Sequence, residues 1–398
     1  MEHLLRQCLV RAASRVSPRS PAGLCQGLTL RERGHASLSM QPSLPIIDIA
    51  PFIDTSSSDE GARIRVAKEL DRACRDVGFF YLVGHGVPQA DIQHLHALAK
   101  QFFQSPSEKK DAISISQFPE SGRGYQRLGE NVTYGRRDWH EAIDFYAEPS
   151  EGAVDLETLI QAPGATDRSV LKKMQPFVFG SNQWPLEPQG FRSAAERHFE
   201  RAALAGQALM EAMALAFGLP PQHFKSLTDR SFWCARVIGY PPLGEAAAAG
   251  SEGEIGDSVG EHTDYGCWTI LSPDDTPGAL QVRGLDGSWM TAEPMDNAFV
   301  VNLGDMLSVW TQGRFTATPH RVRHTQPGRY RTSIAFFYEP NYDAVINPLF
   351  PAELNGASMS SGAGNSSEPL QRALQGHGLV YGEHLFAKVS GNFNFLSN

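Results

Sequence analysis

The chain has 398 residues, of which 41% are hydrophobic and 20% charged, with a formal net charge of -9. That length allows a core large enough to keep water from a site. No apolar run approaches the roughly 18 residues that span a bilayer, so the sequence reads as soluble, with no membrane partner. The acidic balance argues against nucleic acid, because such binding needs basic side chains to displace phosphate counterions. A small-molecule ligand and a monomer are expected. The cysteines, Cys8, Cys25, Cys74, Cys234 and Cys267, are scattered without CxxC spacing. They suggest neither a zinc cage nor a disulfide framework, but reduced intracellular thiols.

In chain order, residues 1–40 come first, with Arg6, Arg11, Arg15, Arg19, Arg31 and Arg33 against only Glu2 and Glu32. This Arg- and Ser-rich profile is that of a transit peptide, which implies an organelle, mitochondrion or plastid. A disordered basic tail on a cytoplasmic protein is the alternative, and Glu2 weighs on that side. "LPIIDIAPFI" then reads as a short strand, and residues 59–76 as a helix with Ile64, Ala67, Leu70 and Cys74 on its apolar side. "GFFYLVGHGV" is a second strand. Val87-Pro88 opens another helix that buries Ile92, Leu95, Leu98, Phe102 and Phe103 and ends in "SPSEKK".

Residues 105–190 read as irregular, whereas "FRSAAERHFERAALAGQALMEAMALAFGL" is a long helix with Phe199, Ala202, Leu209, Met213 and Phe217 at helical spacing. From Ser231 to about Pro340, short alternating runs separated by turns predict a sandwich or barrel of antiparallel strands, with a hairpin at Asp286-Gly287. Two low-complexity stretches, 244–260 and 354–369, read as solvated insertions. The division expected is 1–40, tail; 41–225, N-terminal domain with its supporting helix; 226–345, catalytic core; and 346–398, a closing segment.

Within the β region, "GEHTDYGCWTI" holds His262 and Asp264, which share one face if the run is extended. A third ligand on a later strand would complete a metal site, and "TATPHRVRHTQPGRYRTSIAFFYEP" offers His320. His324 has the same parity and is the competitor. In the same run Arg331, Ser333, Ala335 and Phe337 share one face, so a guanidinium and a hydroxyl could grip a carboxylate while Phe337 walls a substrate. Two histidines and one carboxylate leave about three positions of an octahedral ion open, as in the facial triad of non-haem Fe(II) oxygenases. The charges of Fe(II), one aspartate, a dicarboxylate and one arginine cancel, as a buried site requires.

Arg329 reads as a loop-anchoring charge and His85, between glycines, as structural. His140 and Glu141 are placed at a solvated edge or domain contact. Arg123, Tyr125 and Arg127 alternate in "GRGYQRLGEN", where Arg123 and Tyr125 are candidates for contacting a polar substrate and anchoring a loop is the competing role.

The ordered set "HTD", "VNLGD", "HRV" and "RTSIAFFYEP", with "LPIIDI", "GFFYLVGHGVP" and "YGEHLFAKV" outside it, resembles the 2-oxoglutarate- and Fe(II)-dependent dioxygenases of the isopenicillin N synthase-like group over roughly residues 42–390. The resemblance implies a mixed α/β fold with a double-stranded β-helix (jelly-roll) core, flanking helices and an N-terminal α/β domain. It implies that His262, Asp264 and His320 hold iron, and that Arg331 and Ser333 bind the far carboxylate of 2-oxoglutarate. Tyr240 in "RVIGYPP" matches a tyrosine that often contacts this co-substrate, although Ile238 and Gly239 stand where many plant members carry Asn and Tyr.

The implied reaction uses Fe(2+), 2-oxoglutarate and O2, with ascorbate as a candidate reductant. It hydroxylates, desaturates or otherwise oxidises a small organic metabolite and releases succinate and CO2. Alternatives are a relative that oxidises without 2-oxoglutarate, a zinc hydrolase on the same ligands, and a non-catalytic scaffold.

Overall fold

The computed structural model describes residues 44–54, 59–133, 135–148, 175–244, 256–350 and 378–392. The expected transit peptide and the insertion at 354–369 lie outside the described residues, as does most of the insertion at 244–260. The strands are β1 (Ile46–Asp48), β2 (Phe79–Val83), β3 (Gly124–Gln126), β4 (Val132–Thr133), β5 (Arg136–Arg137), β6 (Glu141–Tyr146), β7 (Cys234–Tyr240), β8 (Val259–His262), β9 (Trp268–Pro273), β10 (Leu280–Arg283), β11 (Trp289–Thr291), β12 (Phe299–Leu303), β13 (His320–Val322), β14 (Arg331–Tyr338), β15 (Val345–Ile346) and β16 (Leu379–Val380). Five helices matter below: α1 (Glu60–Asp76), α2 (Gln89–Phe103), α3 (Phe191–Ala216), α4 (Asp305–Trp310) and α5 (Tyr381–Asn392).

An eight-stranded sheet in the order β1-β2-β12-β9-β14-β7-β6-β3 faces a four-stranded sheet in the order β11-β10-β13-β8. Apart from the parallel β1–β2 pair, the strands of both sheets pair antiparallel. Between the sheets, Phe79, Tyr81, Ile238, Tyr240 and Val300 of the larger meet Leu280, Val282 and Val322 of the smaller. This is the expected jelly-roll core. The opposite face of the large sheet, with Phe80, Ile270, Val301 and Phe336, packs under the helices with Leu95, Phe199 and Leu209. Both faces are covered, so the central strands read as apolar runs rather than strict alternations. Each fully buried phenylalanine contributes roughly 1.5–3 kcal/mol to that layer.

The helices follow their sequence signals. Asp59 caps α1 by accepting from the Ala62 amide, and α2 begins after Pro88 and buries the five residues expected of it. Ile64 is a correction: it is 41% exposed, and Val66 takes the inward position. α3 runs beneath the large sheet, where a Cβ on Gly206 would come within 2.4 Å of the Tyr338 ring. Only glycine lets the helix approach β14 so closely.

The expected boundary at 225/226 does not divide the fold, because β1, β2, β3 and β6 extend the same sheet that β7, β9, β12 and β14 build. From Pro42 onward the chain is one unit. Residues 105–190 are likewise not wholly irregular, since β6 lies buried along its length within that sheet. The closing segment places Tyr381, Leu385, Phe386 and Val389 of α5 into the core with Phe177, Phe232 and Tyr342.

Gly206→Val forces an isopropyl group into the α3–β14 contact and should destabilise by about 1–3 kcal/mol. Urea unfolding checks this: a lower midpoint at unchanged slope is expected, and a midpoint equal to wild type contradicts the contact.

Candidate active site

His262 ends β8 and His320 begins β13, and the antiparallel register sets the two directly opposite. Asp264 follows two residues after His262. One ligand atom from each of the three lies within 4.8 Å of the others, with His262 Nε2 at 3.5 Å from Asp264 Oδ1 and His320 Nε2 at 3.8 Å from Asp264 Oδ2.

Each imidazole is oriented from behind by the carbonyl two residues earlier in the chain. His262 Nδ1 lies 2.9 Å from the Gly260 oxygen, and His320 Nδ1 lies 3.1 Å from the Thr318 oxygen. A carbonyl can only accept, so Nδ1 carries the proton and Nε2 presents its lone pair to the gap. Phe79 packs edge-on against His320, with centroids 5.2 Å apart.

Asp264 Oδ2 accepts from Asn302 Nδ2 at 2.6 Å and from the Thr269 hydroxyl. Burial by itself would raise the Asp264 carboxyl, but His320, His262 and Thr269 hold it well below the usual carboxylate range. Burial, reinforced by the neighbouring His262, pushes His320 down to about 4. At neutral pH the cluster is therefore an anionic oxygen with at least one neutral imidazole, a donor set that suits a divalent transition metal.

Farther along the interior, Arg331 and Ser333 of β14 pair with Tyr240 and Ile238 of β7. Arg331 is 1% exposed, and its guanidinium carbon lies 4.5 Å from the Tyr240 ring centroid. Its Nε and Nη1 have no partner among the described residues. The Ser333 and Tyr240 hydroxyls are 3.1 Å apart. A guanidinium in a protein stays charged, and burying it with unpaired N–H groups is costly. These donors call for an anion, and a carboxylate matches the fork. Gly239, on the opposite face of β7, also has its explanation: a Cβ there would lie 2.1 Å from the Tyr330 hydroxyl, which donates to Glu141.

Phe337 shares the inner face with Arg331 and Ser333, partly exposed, opposite the Thr269 that supports Asp264. Arg123 and Tyr125 do not reach this interior, which corrects the expectation that they contact a substrate. Arg123 is fully buried, directs its Nη1 and Nη2 donors to the carbonyls of Ser121, Phe177, Ala147 and Val178, leaves Nε without a partner among the described residues, and lies over the Tyr146 ring. Tyr125 packs in the helix-side core and donates to Glu141.

His324 faces the Arg329 carbonyl, while His85 accepts from the Val87 amide and stacks on Phe299. Arg329 binds Thr276 and Asp275. His140 and Glu141 are a second correction: they are 1% and 5% exposed rather than at a solvated edge. Sequence reasoning missed the supporting roles of Asn302 and Thr269, although "VNLGD" had marked the first as part of a motif.

Loss of the Asn302 amide frees Asp264 to rotate, and supports of this kind are worth roughly ten- to hundredfold in metal affinity. Titration of Asn302→Ala with Mn(II) or Fe(II) should show that loss; unchanged affinity would mean that Asn302 has no part in orienting the carboxylate.

Comparison with known proteins agrees with this geometry. The non-haem dioxygenase in morphine synthesis N-terminal family matches residues 44–186, and the 2OG-Fe(II) oxygenase superfamily matches residues 237–340. A homoarginine-6-hydroxylase of Arabidopsis thaliana is 37% identical across 88% of this chain and 98% of its own length. A 1-aminocyclopropane-1-carboxylate oxidase of Dictyostelium discoideum is 31% identical across 76% of this chain and 83% of its own. The crystal structure of a full-length Neurospora crassa protein in complex with alpha-KG and 5-formyluracil aligns with a TM-score of 0.65 at 25% identity, covering 87% of this chain and 96% of that one. Sequence kinship along nearly the whole chain and the shared architecture lead to one family, and the protein belongs to the 2-oxoglutarate- and Fe(II)-dependent dioxygenases of the isopenicillin N synthase-like type.

Proposed function

We propose that this dioxygenase hydroxylates homoarginine or a closely related amino acid, with His262, Asp264 and His320 as iron ligands and Arg331, Ser333 and Tyr240 as the seat of the 2-oxoglutarate side chain. The observation that carries the co-substrate assignment is the buried Arg331 guanidinium with two unpartnered nitrogens on the same interior as the triad. The amino-acid assignment is supported by relatives named homoarginine-6-hydroxylase, in three plants, at 37% identity over 88% of this chain.

Bound together, Fe(II) and 2-oxoglutarate supply the oxidising chemistry, in which O2 is consumed and succinate and CO2 are released. The chain's own part is positional. Thr269 and Asn302 keep the Asp264 carboxylate turned toward the two imidazoles, and the Gly260 and Thr318 carbonyls keep both Nε2 atoms forward. Arg331 neutralises and orients a carboxylate at the far end of the interior, while Tyr240 and Ser333 close around it. Val282, Leu280 and Val322 of the small sheet exclude water from that side.

A zinc hydrolase leaves the paired Arg331 and Ser333 without work. An oxidase that does not use 2-oxoglutarate, as among the aminocyclopropanecarboxylate oxidases, can keep the same arginine and serine, and it is separated from this reading by whether succinate forms and O2 uptake depends on added 2-oxoglutarate. The protein acts as a monomer that does not bind nucleic acid, in keeping with the acidic net charge. Delivery to an organelle is proposed from the arginines of residues 1–40, and a reporter fused to that segment that stays cytosolic would refute it.

Purified protein given Fe(II), 2-oxoglutarate and homoarginine should form succinate and a product heavier by one oxygen atom. Arg331→Ala should raise the KM for 2-oxoglutarate by roughly ten- to hundredfold, the value of a hydrogen-bonded charge. Oxygen consumption by wild type at the same rate without 2-oxoglutarate would overturn the co-substrate assignment. Oxidation of other metabolites but not of amino acids would overturn the substrate.

A further inference from the structure

Arg236 lies on the same inner face as Tyr240, four residues earlier in β7. It stands opposite Ala335 on one side and Asp144 on the other. Along β14, Ala335 falls between Ser333 of the co-substrate seat and Phe337, which is opposite Thr269. Arg236 therefore lies along the barrel between the carboxylate seat and the residues that brace the metal site. Ala335, opposite Arg236, carries only a methyl group.

The guanidinium is held along one edge. Arg236 Nε and Nη2 donate to the two Asp144 oxygens, each at 2.7 Å, and Gln126 Nε2 donates to the same carboxylate. Nη1 has no hydrogen-bond partner among the described residues. The Arg236 side chain is 24% exposed while that of Asp144 is 1% exposed.

A second unused group lies on the same wall. His140 directly precedes β6, and its ring centroid is 5.8 Å from that of Tyr240. Its Nδ1 meets the Ser258 carbonyl at 2.7 Å and so carries the proton, which makes the buried and unpartnered Nε2 an acceptor. On one face of the β6–β7 pair, Arg236 offers a donor to a carboxylate and His140 an acceptor to an ammonium. The Arg236–Asp144 pair carries no net charge, so the carboxylate and ammonium of a bound amino acid, which cancel one another, leave the charge around that pair balanced.

We propose that Arg236, held in place by Asp144 and Gln126, binds the carboxylate of an amino-acid substrate, and that His140 Nε2 accepts a hydrogen bond from its ammonium group. Arg236 and His140 are binding residues in this scheme, and Asp144 is a positioning residue. The proposal rests on the reading of the substrate as an amino acid.

Anaerobic calorimetry on the Fe(II)- and 2-oxoglutarate-loaded protein tests it, comparing homoarginine with its carboxamide in wild type, Arg236→Gln and Arg236→Lys. Wild type should prefer the acid by roughly ten- to hundredfold. Arg236→Gln should lose that preference, and Arg236→Lys should retain part of it. The 2-oxoglutarate Kd of each variant reports whether the rest of the site survives, and if Arg236→Gln fails that check the decision passes to Arg236→Lys, whose undiminished preference for the acid would overturn the proposal. An Arg236→Gln protein that still prefers the acid as wild type does would overturn it too. If wild type binds neither compound, homoarginine is ruled out as the substrate. The comparison then moves to the metabolite that stimulates succinate release, and a metabolite without an acidic group bound equally by wild type and Arg236→Gln overturns the role of Arg236.

Discussion

The pairing of two very short strands, with His262 set opposite His320, is the constraint on which the site depends. These residues come from separate runs, and an antiparallel register is what brings their rings within 4.3 Å, centroid to centroid. A slip of one position would turn a ring to the far side of the small sheet and leave Asp264 with a single imidazole. The register is held from outside the pair: β13 is also tied to β10 through Val282, opposite His320, and the Thr318 and Gly260 carbonyls lock the two rings.

The second constraint is electrostatic. The interior between the sheets is mostly apolar, yet it contains Asp264, Arg331, Arg236 and Asp144. Among the described residues, Arg236 and Asp144 form an ion pair, Asp264 is held by neighbouring donors and imidazoles, and of these four only Arg331 lacks a paired counter-charge. A fold that buries a cation without an anion holds a standing cost that a ligand can relieve. A dicarboxylate between the triad and Arg331 would do so, and for that reason Arg331 distinguishes the co-substrate reading from a zinc hydrolase more sharply than the triad does.

Much of this was legible in the sequence because strand geometry has a period of two. Given extended backbone, His262 with Asp264 and Arg331 with Ser333 had to share faces. The helices were equally legible, since α2 and α3 carry their apolar residues at helical spacing. What was hidden shares one cause, charged groups that the fold neutralises internally. The "EAIDFY" of β6 does not look like a buried strand because Glu141 and Asp144 interrupt it. Glu141 is satisfied by Lys110, Tyr125 and Tyr330, and Asp144 by Gln126 and Arg236, a partner 92 positions away. Arg123 misled in the opposite direction, because nothing local reveals that four main-chain carbonyls will take up its Nη1 and Nη2 donors. Strands from both sides of the expected domain boundary interleave within one sheet, a long-range pairing that no local signal announces.

The most direct test of the account is a crystal structure of the protein grown without oxygen in the presence of Mn(II), a redox-quiet stand-in, and 2-oxoglutarate. The account predicts one metal ion bonded to His262 Nε2, His320 Nε2 and an Asp264 oxygen, with a carboxylate of 2-oxoglutarate paired to the Arg331 nitrogens that now lack partners. A metal held by other side chains, or a co-substrate carboxylate that leaves Arg331 unpaired, would contradict it.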